Sequence, residues 1–155
     1  MIQYYVRNPY EPMFTGENHP RLRYFGEINA DEDKSPRVMH AHDDFVEVLL
    51  LREGTCTYLI GSRLYKVSAD DLIVYNSGVL HDESVWAENG VSTYCLAIDG
   101  LSLPGLRKNA LLPDDIPPVF HCGAISHELE TLYELIRQSL GTGCQSLETY
   151  SQLLA

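Results

Sequence analysis

The chain is short of positive charge. Eleven Lys and Arg stand against 22 Asp and Glu, a formal net charge of −11. Duplex DNA is a dense line of phosphates, and sequence-independent affinity for it comes from cationic side chains that displace counterions. An acidic chain with no basic stripe is a poor DNA binder, so any contact with DNA is expected to be made by another segment. Cysteine is sparse too. Cys56, Cys95, Cys122 and Cys144 are widely spaced and include no CxxC pair, which points to free thiols in a reducing cytoplasm rather than a disulfide framework. No apolar run approaches the roughly 20 residues that span a bilayer. The start, Met1–Arg7, lacks a basic stretch followed by a long apolar one, so neither a secretory signal nor a membrane partner is expected.

What is present suits one globular domain. The 155 residues are 45% hydrophobic and 21% charged, an ordinary composition for a chain able to bury its own core.

Residues 1–20 are broken by Pro9, Pro12, Gly16 and Pro20, with Tyr4, Tyr5, Tyr10 and Phe14 between them. They read as an N-terminal arm on the domain or as a loose tail. Residues 21–120 read as the body. Strand-like runs occur at Leu22–Ile28, Arg37–His42, Phe45–Arg52, Thr55–Ile60, Arg63–Val67, Asp71–Tyr75, His81–Ala87 and Val91–Ile98. Gly61-Ser62 and Asn89-Gly90 are two-residue hairpin signals. Short strands at this spacing predict a mainly β barrel or sandwich.

Residues 121–155 change period. Leu129, Leu132, Tyr133, Ile136 and Leu140 recur at helical spacing, with Ser126 as the expected N-cap and Gly141-Thr142-Gly143 as the expected stop. The apolar face is expected either to pair with a second copy or to lie on the barrel. A second helix is expected from near Gln145. It reaches Ala155 without a terminating glycine or proline, so a helical unit that continues in a longer protein is expected.

The chemistry concentrates in His40-Ala41-His42-Asp43-Asp44-Phe45-Val46-Glu47 and, downstream, Gly78-Val79-Leu80-His81. His40 and His42 are two apart, so in an extended chain both rings share a face. Glu47 shares a face with Phe45, Leu49 and Leu51. A carboxylate in such a run is costly without a partner, and histidines or a metal they hold would supply one. Glu83 follows His81 on the same face. Thr93 is expected to face inward on the strand beyond the Asn89-Gly90 turn. His19, His121 and His127 fit no pattern.

The spacing HxH, four residues, Glu, six residues, Gly resembles the first cupin motif, and Asp70–His81 resembles the second. The resemblance implies a cupin barrel in which His40, His42, Glu47 and His81 hold one divalent ion (Zn, Ni, Mn or Fe) with open positions. Without metal, the four would form a hydrogen-bonded polar cluster. Four positions depart from the motifs. Lys34 and Asp70 stand where each motif opens with Gly, Asn76 stands for Pro, and Val85 for Asn.

This loose form, with Asp70-Asp71-Leu72-Ile73 and the following helices, is similar to the sensing domains of AraC-type transcription regulators. That resemblance implies a cupin barrel followed by a helical pair that dimerises. It implies a small polar, sugar-like effector contacted by His40, His42, Glu47, His81, Glu83 and Thr93. It also implies a homodimer that meets DNA only through helix-turn-helix motifs outside this chain, and no catalysis. The rival reading is a small metal-dependent cupin enzyme, a dioxygenase or isomerase, using the same quartet.

Overall fold

The computed structural model describes residues 19–30, 38–87 and 90–142. Eight strands and one α-helix occur among them: β1 (Arg21–Ile28), β2 (Val46–Glu53), β3 (Thr55–Ile60), β4 (Arg63–Ser68), β5 (Asp71–Tyr75), β6 (His81–Ala87), β7 (Ser92–Asp99), β8 (Val119–His121) and α1 (Ser126–Thr142). Residues 1–18 of the expected arm (1–20), residues 31–37, and the second helix expected from near Gln145 lie outside the described residues.

The strands form a five-stranded sheet, β1-β7-β2-β5-β8, and a three-stranded sheet, β4-β3-β6. All pairings are antiparallel, as in the expected cupin barrel. Alternation along each strand sorts its side chains between two cores. Leu49, Leu51, Cys56, Tyr58, Ile60, Val67, Ile73, Tyr75 and Cys95 pack between the sheets. Val46, Val48, Leu50, Tyr94, Leu96 and Ile98 pack on the other face of the large sheet, beneath Tyr133 and Ile136 of α1. Both faces of β2 and β7 are therefore buried, which is why these strands read as continuous apolar runs rather than alternating ones.

The Gly61-Ser62 turn joins β3 and β4 as expected, with Ile60 opposite Arg63. Asn89 lies outside the described residues, but β6 and β7, the strands that an Asn89-Gly90 hairpin would join, do not pair. β6 pairs with β3, whereas β7 pairs with β1 and β2, so the link between them crosses from one sheet to the other. Gly90 serves a different need: a Cβ there would lie 1.8 Å from the Ala30 carbonyl oxygen. The glycine is required by close chain approach, not by a hairpin turn. The run Arg37–His42, expected to be a strand, contributes a single bridge in which His40 and His81 exchange backbone hydrogen bonds of 2.9 and 2.8 Å.

One turn of 3-10 helix, Gly123–Ile125, leads into α1. Ser126 already has helical angles (φ −62°, ψ −40°) and is not the N-cap. The helix also runs through Gly141 to Thr142 rather than stopping before them. Its buried side, Tyr133 and Ile136 with half-buried Leu129, lies on the barrel. The Tyr133 hydroxyl donates to the Val48 carbonyl at 2.8 Å. Leu140, expected on the apolar face, is 42% exposed, and Leu135 is 38% exposed.

Two of the motif departures find their reasons here. Asp70 occupies the left-handed region (φ 72°), the conformation for which glycine is usual. Asn76 is buried and staples the 111–114 segment: its side chain donates to the Leu112 carbonyl at 2.8 Å and accepts from the Leu111 N–H at 2.9 Å. Proline has no side-chain amide to do this.

Ile136→Ala removes a fully buried side chain between helix and sheet and is expected to cost about 2–5 kcal/mol. Leu64→Ala, on a residue 57% exposed, is expected to cost under about 1 kcal/mol. Urea denaturation of the two variants checks both.

Candidate metal centre

The quartet assembles from three places in the chain. Glu47 comes from β2, in the middle of the large sheet, and His81 opens β6 of the small one. The bridge to His81 brings in His40, and the His42 carbonyl accepts from the Gly78 N–H at 2.7 Å. Gly78 turns the chain before His81 with a φ of 74°, which a side chain would resist. One ligand atom from each of His40, His42, Glu47 and His81 lies within 4.8 Å of the others.

The rings are set by their other nitrogens. His40 Nδ1 lies 2.9 Å from the Val38 carbonyl oxygen, and His81 Nδ1 lies 2.9 Å from that of Val79. A carbonyl only accepts, so Nδ1–H donates, and in the neutral ring Nε2 is the nitrogen that carries the lone pair. Stacking fixes the planes. Tyr75 lies on His81 at 4.0 Å and 5°, and Phe45 on His42 at 4.3 Å and 24°.

His42 Nε2, His81 Nε2 and Glu47 Oε2 are buried without a hydrogen bond of acceptable geometry, although the two nitrogens stand 3.4 and 3.1 Å from Oε2. Buried polar atoms are rarely left so. Three such atoms converging on one point fit a divalent ion, and the imidazole and carboxylate donors suit Zn, Ni, Mn or Fe.

The electrostatics are those of a shared charge. Burial works to raise the Glu47 carboxyl pKa, but His81, Tyr24 and His42 outweigh it and hold it below the usual carboxylate range. Burial works to discharge His81, and Glu47, the Val79 carbonyl and Glu83 outweigh it and raise its pKa. At His42 burial prevails over the pull of Glu47, and the pKa falls.

The predicted site residues do not all converge. Glu83 is half-buried, and its charge acts on His81, Tyr75 and Tyr24, but it is not among the four residues whose ligand atoms cluster. Thr93 faces inward but pairs with Leu51, while Ala97, four residues on, pairs with Glu47. At about 3.3 Å per residue, Thr93 sits roughly 13 Å along the strand from the cluster. His121 lies apart, 3.0 Å from Asp71.

Residue-by-residue reading missed Tyr24, whose hydroxyl donates to Glu47 Oε1, and Cys95, 3.6 Å from the same oxygen. It also missed Tyr75. Burial foremost, then Cys95 and Glu47, raises the Tyr24 pKa, so the phenol stays protonated as a donor. Tyr24 and Tyr75 share a row with Glu47 across the sheet. Strand register, not spacing along the chain, is the signal that finds them. A separate cleft of about 410 Å³ opens between the Gly61-Ser62 turn and residues 112–118, lined by Tyr65, Asn76, Val79 and Asp114 among others.

Two antiparallel sheets that enclose three imidazoles and one carboxylate define a cupin-type barrel with a candidate metal or ligand site. The family model for AraC-like ligand binding domains matches residues 26–154, and the chain belongs to that family. It is 29% identical over 133 residues to an uncharacterized HTH-type transcriptional regulator, YdiP, of Escherichia coli K12. That alignment covers 86% of this chain and 43% of the regulator, so the chain spans less than half of that relative's length. Among solved structures it is similar to a cupin protein from Bacteroides fragilis (TM-score 0.43, 13% identity, 68% of this chain and 98% of that one). It is also similar to a cupin-2 domain containing protein from Shewanella frigidimarina (TM-score 0.36, 20% identity, 53% and 82%).

Equilibrium dialysis of chelator-treated protein against Zn(II) or Co(II) is expected to give one ion per chain. His81→Ala and Glu47→Ala are each expected to weaken uptake beyond the roughly 10–100-fold that loss of an outer partner costs.

Proposed function

We propose that the chain is the effector-sensing and dimerisation domain of a transcription regulator. On this reading it binds a small polar, sugar-like molecule at the quartet end of the barrel. The observation that carries the reading is the convergence of buried Nε2 and Oε2 atoms without hydrogen bonds of acceptable geometry inside a barrel of the AraC-like ligand binding family. His40, His42, Glu47 and His81 would hold one divalent ion. A bound ion would supply Lewis acidity and open positions for oxygen donors. Glu83, whose charge acts on His81, would accept from an effector hydroxyl. Leu49, Tyr58, Ile73 and Cys95 fill the space between the sheets, so a compact effector sits at the quartet end. Thr93 would meet only one that reached deeper.

Sensing requires the effector to bind one arrangement of the protein better than another. DNA is met through a separate helix-turn-helix segment, as the description of the Escherichia coli relative and the acidic charge of this chain both suggest. Homodimerisation through α1 is supported by Leu135 and Leu140, which the barrel leaves exposed. A cytoplasmic location agrees with Cys56, Cys95 and Cys122, which form no disulfide among the described residues. Among the described residues no helix is long and apolar enough to cross a membrane.

The same quartet supports a second reading, a metal-dependent cupin enzyme. Turnover of sugars or small acids by the metal-loaded chain, with a metal requirement, would establish that reading in place of sensing.

Two outcomes are expected of the sensing reading. The chain alone leaves duplex DNA unshifted at about 0.1 M salt, whereas the longer gene product binds its operator with an effector-dependent footprint. An unchanged footprint across a panel of polar effectors would count against the switch. Leu135→Glu with Leu140→Glu shifts a dimer to monomer in sedimentation without a loss of folding; a chain that is monomeric to begin with would remove the dimer.

A further inference from the structure

We infer that Tyr24 is a positioning residue for the metal: its hydroxyl occupies Glu47 Oε1 and leaves Oε2 as the single carboxylate ligand. The inference rests on the quartet holding an ion. Its basis is a row of side chains that crosses four adjacent strands. Tyr24 of β1 pairs with Ala97 of β7, Ala97 pairs with Glu47 of β2, and Glu47 pairs with Tyr75 of β5. Paired residues on neighbouring strands point to the same side of the sheet. At the one position between Tyr24 and Glu47 stands an alanine. Its methyl leaves the space over which the phenol reaches from an edge strand, across a strand, to the carboxylate. A larger side chain at 97 would stand between them.

The register that makes this possible is irregular. Leu22 pairs with Ile98, but Tyr24 pairs with Ala97, so Arg23 is an extra residue in β1. Without that bulge Arg23 would stand opposite Ala97 and point toward the quartet, a cation beside a cation site. With the bulge Tyr24 stands opposite Ala97 and supplies a neutral donor, and the Arg23 guanidinium lies 3.3 Å from Asp99. Bulges commonly re-aim a side chain in this way.

The two carboxylate oxygens then differ. Oε1 accepts from Tyr24 and lies 3.6 Å from Cys95 Sγ. Oε2 faces His42 and His81 with no hydrogen bond of its own. Tyr24 is itself held, edge-on to Phe45 at 5.8 Å, and Phe45 stacks on His42. One aromatic chain thus ties the outer partner of Glu47 to a second ligand. A carboxylate pinned at one oxygen offers the other to an ion. A carboxylate released from the phenol is free to turn and offer both, which raises the coordination number by one. Tyr24 would therefore set metal preference as well as affinity.

Cobalt(II) is the probe, because its visible absorption is strong in four- or five-coordinate sites and weak in six-coordinate ones. Chelator-treated wild type and Tyr24→Phe are titrated with cobalt(II) alone. The phenylalanine keeps the ring against Phe45, and a thermal melt confirms that the variant is folded. Expected is one cobalt(II) per chain in both, about 10–100-fold weaker in Tyr24→Phe, with a changed band position and lower intensity. An identical spectrum in the two proteins overturns the inference even if Tyr24→Phe melts at a lower temperature, since a purely structural role would move only the melt. Wild type that takes up no cobalt(II) overturns the metal reading and this inference together, and that failure is recognised before the variant is compared.

Discussion

Glu47 is a carboxylate near the start of the central strand of a five-stranded sheet, and it is almost wholly buried. A charge so placed is costly unless partners surround it. Much of the architecture at this end of the barrel can be understood as the provision of those partners. His81 arrives from the opposite sheet, and His40 is tied to it by a two-bond bridge. His42 is fixed through Gly78, and Tyr24 reaches in from an edge strand. Even so Oε2 and two imidazole nitrogens remain without hydrogen bonds. Such an arrangement is a poor end state for a structural polar cluster and a good one for a site that receives something.

The same strand links the site to the helix. In β2 the residue before Glu47 and the residue after it, Val46 and Val48, belong to the outer core beneath Tyr133 and Ile136. The Tyr133 hydroxyl bonds the Val48 carbonyl. Farther along the strand, Arg52 lies 4.0 Å over the Tyr94 ring and donates to Glu130 of α1 at 3.0 Å. A shift of Glu47 would thus act on a strand whose opposite face carries α1. That is the physical connection a sensing domain needs, and it follows from the two-residue period of a strand buried on both sides.

Much of the fold was legible along the chain. Thr55–Ile60, Asp71–Tyr75 and His81–Ala87 are strands within the limits their composition implied, and Gly61-Ser62 is the turn it resembled. That His40, His42, Glu47 and His81 come together was legible too: HxH spacing and a carboxylate in an apolar run are local signals, and the resemblance to the second cupin motif added His81. The Asn89-Gly90 pair misled for a definite reason. Glycine answers both to a tight turn and to close approach of another chain segment, and the residues on either side do not distinguish the two. Ala30, far away in sequence, decided it. The helix does start at Ser126, but the cap expected of that residue is not made, because a preceding 3-10 turn makes it helical already.

The sequence by itself determined the strand content, the change to a helix after the barrel, the acidic charge and the residue types of the quartet. Each is carried by neighbours a few positions apart, through alternation, helical period and the price of a buried carboxylate. Only the tertiary structure decided which strands share a sheet, that Thr93 stands away from the cluster, and that Tyr24 rather than Arg23 meets Glu47. Those outcomes depend on register between strands tens of residues apart. A single extra residue in β1 exchanges one side chain for its neighbour, and nothing in the local pattern around Arg23 marks where that extra residue falls.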